Sequence, residues 1–221
     1  MFVYIANGLY GWQYCVHKSF RLSYLLCLFF LFLTSMKVTE TGIPGLVVIE
    51  PTVFSDSRGY FFESYNKQRF EEHGLFYEWV QDNQSQSAYG VLRGLHYQLN
   101  PYSQAKLVRV IRGAVLDVAV DIRKGSPTYG KWHAEELSAE NNKQLLVPRG
   151  FAHGFVVITE SAEFTYKCDN LYNKESEGGI KFDDPTLDID WNFDLAKVQL
   201  SDKDKVLPAI DDSRNNFEFK R

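Results

Sequence analysis

Three side chains able to bind anions or move protons lie within six residues of one another: the guanidinium of Arg93, the imidazole of His96 and the carboxamide of Gln98. The stretch Val91-Leu92-Arg93-Gly94-Leu95-His96-Tyr97-Gln98 is otherwise apolar or aromatic, with one glycine and no proline, and it reads as a β-strand. Side chains alternate faces along a strand, so Gly94, His96 and Gln98 share one side and Leu95 and Tyr97 the other. Strict parity sends Arg93 away from His96. The two converge only if Gly94 bends or bulges the strand. A lone strand histidine is ordinarily a satisfied core or surface residue, so chemistry at His96 requires partners elsewhere in the chain.

Two further stretches supply candidates. Residues 106–111 alternate, with Lys106, Val108 and Val110 on one face. A lysine at a strand start is usually solvated, but here it can also supply a fixed positive charge beside an oxyanion. Phe164, Tyr166 and Cys168 likewise share a face. Tyr166 is either a core aromatic with one hydrogen bond or a proton donor. His96 can act as a base near neutral pH, especially if a carboxylate holds its other ring nitrogen. From residue 36 onward the histidines are His73, His96, His133 and His153. None has H-x-H or H-E-x-x-H spacing, so no metal site is expected. There is no glycine-rich phosphate loop and no G-x-S-x-G, and Cys168 has no adjacent base. Acid–base chemistry without a cofactor remains.

The elements that must position these groups are short strands. The chain has 221 residues, enough for one domain with a full core, and its 17 Phe and 13 Tyr favour β structure. Strands are expected over 46–50, 60–65, 76–81, 91–98, 106–111, 114–121, 132–137, 145–147 and 164–168. Residues 82–87 read as a polar loop, and 151–155 as a turn leading into a strand through Ile158. Asn66 is placed to cap a short helix over 67–73, stopped by Gly74, and a second short helix is expected near 200–204. Turn signals recur every 8–12 residues, which implies an all-β sandwich or barrel.

Residues 1–35 differ from the rest. Leu22 to Leu33 is almost uniformly apolar and follows Lys18 and Arg21, too short to span a bilayer comfortably. It reads as an over-called start ahead of Met36, or as a signal-like segment, and is excluded from the fold. Of 24 basic residues two fall in 1–35, so the remainder carries 22 against 28 acids. Such a body is not a general nucleic-acid binder, and an anion would be held only in a local pocket. Cys168 is the single cysteine beyond residue 35, which suits a reducing, cytoplasmic compartment.

Five stretches together resemble one family. They are Arg93-Gly94-Leu95-His96-Tyr97-Gln98, Lys106-Leu107-Val108-Arg109-Val110, Gly125-Ser126-Pro127-Thr128-Tyr129-Gly130-Lys131-Trp132, Pro148-Arg149-Gly150-Phe151-Ala152-His153-Gly154-Phe155 and Leu200-Ser201-Asp202-Lys203-Asp204. In this order they look like the dTDP-4-dehydrorhamnose 3,5-epimerases, over about Met36 to Pro208. The resemblance implies a cupin-type double-stranded β-helix (a jelly roll), a homodimer with exchanged N-terminal strands, and no metal or cofactor. It makes His96 the base, Tyr166 the acid on the opposite sugar face, and Lys106 the stabiliser of the C4 enolate oxygen. Asp204 would orient His96, with Asp202 only two residues away. Arg58, Glu63, Gln81, Asn83, Arg93, His153, Glu177 and Lys203 match nucleotide-sugar contacts, some reached from the partner subunit, and Tyr172 is a further pocket residue. The implied reaction converts dTDP-4-dehydro-6-deoxy-D-glucose to dTDP-4-dehydro-β-L-rhamnose in dTDP-rhamnose biosynthesis. The readings set against it are a relative that epimerises one carbon or acts on an amino-sugar nucleotide, a sugar-binding cupin without turnover, and a metal-dependent cupin oxygenase.

Overall fold

The computed structural model describes residues 36–220. The expectations for residues 1–35 therefore lie outside the described residues. Among the described residues no helix is long and apolar enough to cross a membrane.

Alternating β-branched and aromatic residues build two antiparallel sheets. The first runs in the order β1 (Lys37–Glu40), β2 (Val47–Glu50), β10 (Gln144–Val147), β7 (Lys106–Arg112), β12 (Ser161–Cys168) and β5 (Gln81–Ala88). The second is ordered β13 (Glu177–Gly179), β6 (Leu92–Gln98), β11 (Phe151–Val157), β8 (Ala114–Asp121) and β9 (Trp132–Ser138). A separate hairpin joins β3 (Phe54–Asp56) to β4 (Gly59–Phe61). The sheets pack face to face, as expected for a jelly-roll sandwich. Val48, Val108, Val110, Leu145 and Phe164 of the first sheet meet Val115, Ala119, Leu137, Phe155 and Val157 of the second. The outer face of the second sheet is covered by the chain after residue 180, through Leu187, Trp191, Ile210 and Phe217. Helix α1 (Lys67–Glu72) seats Phe70 on Val47, Ile49, Leu107 and Leu146 at one end of the first sheet's outer face. Asn66 caps it, its side chain accepting from the Arg69 N–H.

Four expectations need correction. Residues 82–87 are not a loop: they form most of β5, paired along its length with β12. The strand looked like a loop because its inward side chains, Asn83, Ser85 and Ser87, face a polar interior and its outward ones face water. Residues 151–155 are not a turn: they open β11, which is buried from end to end. Extended pairing does not begin before Gln81, so 76–80 is not a strand, and the strand expected over 60–65 is only the short arm Gly59–Phe61.

One motif turns out to be a structural knot. Asp121, fully buried, accepts hydrogen bonds from Arg123, Ser126 and Thr128, closing the loop that contains Gly125-Ser126-Pro127.

The pairing of β6 with β11 determines which way the opening motif points. His96 pairs with His153 and Arg93 with Phe155, so three residue steps on β6 match two on β11. This is a bulge at Gly94 and Leu95. Leu92 and Leu95 therefore both point outward into the second cluster, and Arg93 joins His96 on the inner face. Gly94 has φ +128, and a Cβ there would lie 2.6 Å from the Gly154 Cα and 2.9 Å from the His153 carbonyl oxygen. Neither backbone atom can swing aside. Gly94→Ala should cost about 3 kcal/mol in urea unfolding, from backbone strain plus overpacking. Gly125, at φ +78 with open space around it, is the control. Its alanine variant should lose only about 1 kcal/mol.

Candidate active site

The inner face of the sandwich gathers most of the chemistry. From the second sheet come His96 and Arg93 on β6, His153 on β11 and Asp117 on β8. The first sheet contributes two rows: Gln81, Cys168 and Lys106 pair side by side, and Asn83, Tyr166 and Val108 pair in the next.

His96 donates through Nε2 to Asp204 Oδ1 at 2.5 Å, which leaves Nδ1 as the nitrogen available to a bound molecule. Asp204 is almost fully buried at the start of a one-turn 3₁₀ segment, Asp204–Val206. Its other oxygen accepts from Ser201 Oγ at 2.7 Å, and its own N–H donates back to that hydroxyl. Asp202 points away and pairs with Lys205. Burial works against the charge on Asp204, but the hydrogen bonds from His96 and Ser201 outweigh it and hold the carboxyl below its usual range.

Across the interior, the Lys106 ammonium lies 5.7 Å from the centre of the Tyr166 ring. Burial pulls the amine below the usual lysine range, and Cys168 and Asp117 oppose that shift. Burial pushes the Tyr166 hydroxyl up, with Cys168 adding and Arg93 opposing, so the phenol keeps its proton at neutral pH. The Cys168 thiol is pushed up to about 11, chiefly by burial, so it is no nucleophile at neutral pH.

The remaining residues fall into two groups. Arg93 Nε donates to Ser87 Oγ at 3.1 Å. His153 donates through Nε2 to the buried Asp117 at 2.8 Å. Gln81 bonds Asn83, and its oxygen accepts from the Tyr172 N–H. Tyr172 donates to Glu177, which also pairs with Lys203 at 2.7 Å. Burial opposes the Glu177 charge, but the bonds from Lys203 and Tyr172 hold its carboxyl below the usual range. Arg58 and Glu63 are not brought to this interior. Arg58 sits at the tip of the β3–β4 hairpin and pairs with Asp56, while Glu63 pairs with Arg69 beside α1.

Asp117 and Ser87 were not foreseen. Asp117 sits between Val115 and Ala119 on the inward face of an otherwise apolar strand. A carboxylate there signals a buried partner. Ser87 carried no signal of its own. Among the described residues no group of three or more His, Cys, Asp or Glu is placed to hold a metal ion.

A depressed carboxylate stabilises the fold above its unfolded pKa, and that stability is lost as pH falls through the folded value. For Asp204 this window lies below about pH 4. Asp204→Asn should therefore be less stable than the parent near neutrality and lose less on acidification. Urea unfolding measured from about pH 7 to pH 3 checks this, and parallel curves for the two proteins would contradict it.

The dTDP-4-dehydrorhamnose 3,5-epimerase family model matches residues 40–212. The Shigella flexneri dTDP-4-dehydrorhamnose 3,5-epimerase is 55% identical over 170 residues, covering 76% of this chain and 93% of that protein. The crystal structure of the Elizabethkingia anophelis dTDP-4-dehydrorhamnose 3,5-epimerase is 57% identical with a TM-score of 0.78, over 80% of this chain and 97% of that one. The Legionella pneumophila dTDP-6-deoxy-D-glucose-3,5-epimerase, solved with dTDP-4-keto-L-rhamnose, is 49% identical with a TM-score of 0.77, over 80% and 93%. With a family match across most of its length and relatives at this identity, the chain belongs to the dTDP-4-dehydrorhamnose 3,5-epimerase family.

Proposed function

We propose that this protein is an isomerase that inverts C3 and C5 of dTDP-4-dehydro-6-deoxy-D-glucose to give dTDP-4-dehydro-β-L-rhamnose, for dTDP-rhamnose biosynthesis. The observation that carries the reading is the opposition of two sheets. One presents an imidazole fixed by a buried carboxylate, and the other a protonated phenol beside an ammonium.

The C4 ketone acidifies the hydrogens on C3 and C5. His96 Nδ1 removes one of them, and the electron pair moves onto the C4 oxygen as an enolate. Lys106 stabilises that oxygen in a largely dry interior. Tyr166 returns a proton to the same carbon from the opposite face, which inverts it. Reprotonation of the phenolate and loss of the proton from His96 reset the pair for the second carbon. Asp204 holds the imidazole in the tautomer with Nε2–H and stabilises the cation that forms. Arg93 and His153 bind the diphosphate and sugar oxygens, Gln81 and Asn83 the pyrimidine side, and Tyr172, Glu177 and Lys203 the rim. In deuterated water, label should enter both C3 and C5 of the 4-keto sugar, read by NMR. His96→Ala should abolish exchange at both carbons. Tyr166→Phe should lower net inversion more than initial proton loss. Label at one carbon only would identify a single-carbon epimerase. Binding without exchange would identify a non-catalytic cupin.

We further infer a homodimer with exchanged N-terminal strands. The hairpin projects Tyr60 and Phe61, 63% and 67% exposed, and a cleft of about 340 Å³ separates it from the outer face of the first sheet at Arg109 and Ile111. A second copy filling these surfaces brings Arg58 and Glu63 to the neighbouring interior. Mixing and refolding inactive His96→Ala and Arg58→Ala chains should then restore about a quarter of parental activity, because random pairing makes half the dimers mixed, each with one intact site. No recovery would refute shared sites.

Residues 36–221 form, in this reading, the single epimerase domain, working in the cytoplasm, and 1–35 contribute nothing to catalysis. A chain starting at Met36 should keep parental kcat/KM, and failure of that chain to fold would contradict the assignment.

A further inference from the structure

Gln98 lies two residues beyond His96 on the same inward face and is almost fully buried. Its carboxamide is used completely, and every bond leaves the sheet. Nε2 donates to the Tyr102 carbonyl at 2.7 Å and the Leu171 carbonyl at 3.2 Å, while Oε1 accepts from the Asn173 N–H at 2.7 Å. These partners belong to two rim loops, 99–105 and 170–176. The second carries Tyr172, whose ring is exposed while its backbone N–H is held by Gln81. Tyr172 continues through Glu177 to Lys203, the neighbour of Asp204. The strand that presents the imidazole thus also grips the loop at the far end of the site.

We propose that Gln98 is a positioning residue for the nucleotide end of the substrate. It fixes Tyr172 at a set distance from His96, so that a nucleoside diphosphate bound at the rim delivers its sugar to the base in register. The inference rests on the proposed function and adds a residue to it. Two bonds from one rigid strand hold this loop and a third holds its neighbour before the ligand arrives, so the ordering cost is not charged to binding.

The test uses the full chain with two variants. Gln98→Glu keeps the acceptor for Asn173 but sets a carboxylate oxygen against two carbonyls, and Gln98→Met keeps the length and removes all three bonds. Both should raise KM and weaken thymidine diphosphate binding, by calorimetry, about ten-fold, with kcat changed less than about two-fold. In a Tyr172→Ala background the same changes should have no further effect, since the ring they position is gone. A folded variant with unaltered KM, a fall in kcat at constant KM, or additive losses with Tyr172→Ala would overturn the assignment. Failure of both variants to fold would overturn it too, by assigning Gln98 to stability. A parent chain that neither turns over the 4-keto sugar nor binds thymidine diphosphate would instead overturn the proposed function itself.

Discussion

The hydrogen bond between His96 and Asp204 is the constraint on which the site depends. It joins residues 108 positions apart in the chain. Forming it requires β6 to turn its polar face inward, which the bulge at Gly94 accomplishes for Arg93 as well. It also requires the irregular C-terminal region to cross back over the end of β6, where Ser201 fixes the carboxylate. The apolar cover on the second sheet, with Trp191 and Ile210 buried, anchors that crossing. Packing far from the chemistry thereby aims the imidazole.

The two sheets divide the electrostatic work. On the first, burial keeps the Tyr166 phenol protonated and draws the Lys106 amine below its usual range, while Asp117 and Cys168 pull the amine back. On the second, Asp117 and Asp204 each sit against a histidine. Each buried charge is met across the interior or beside it by an opposite charge or a hydrogen-bond donor, as burial demands. In the proposed reaction a flat sugar ring between such walls would have a proton acceptor on one side and a donor on the other.

Much of this was legible in the sequence because β strands have a fixed period. The alternation of Lys106, Val108 and Val110 and of Phe164, Tyr166 and Cys168 suffices to set these side chains on one inward face. It failed where its premise fails. The β5 strand lines a polar space, so Asn83, Ser85 and Ser87 imitate a loop. The motif around His153 resembles a turn because of its glycines, yet Gly154 is there to let β6 pass close by. Parity alone set Arg93 opposite His96, and only a register shift, which no local pattern specifies, brings them together. Resemblance points to Asp204 but leaves Asp202 open; in space Asp204 reaches His96 with its other oxygen fixed by the Ser201 hydroxyl, while Asp202 pairs with Lys205. In the proposed dimer the positions of Arg58 and Glu63 answer to a second chain, about which one chain's periodicity carries no information.

In the proposed mechanism Asp204 locks the ring of His96 so that Nδ1 is the base. Nitrogen-15 NMR of histidine-labelled protein measures this directly, with His96 assigned through the His96→Ala variant. The neutral ring is expected to carry its proton on Nε2, with Nδ1 bare, and Asp204→Asn to disturb this tautomer. A ring protonated on Nδ1, or a spectrum indifferent to Asp204→Asn, would contradict it.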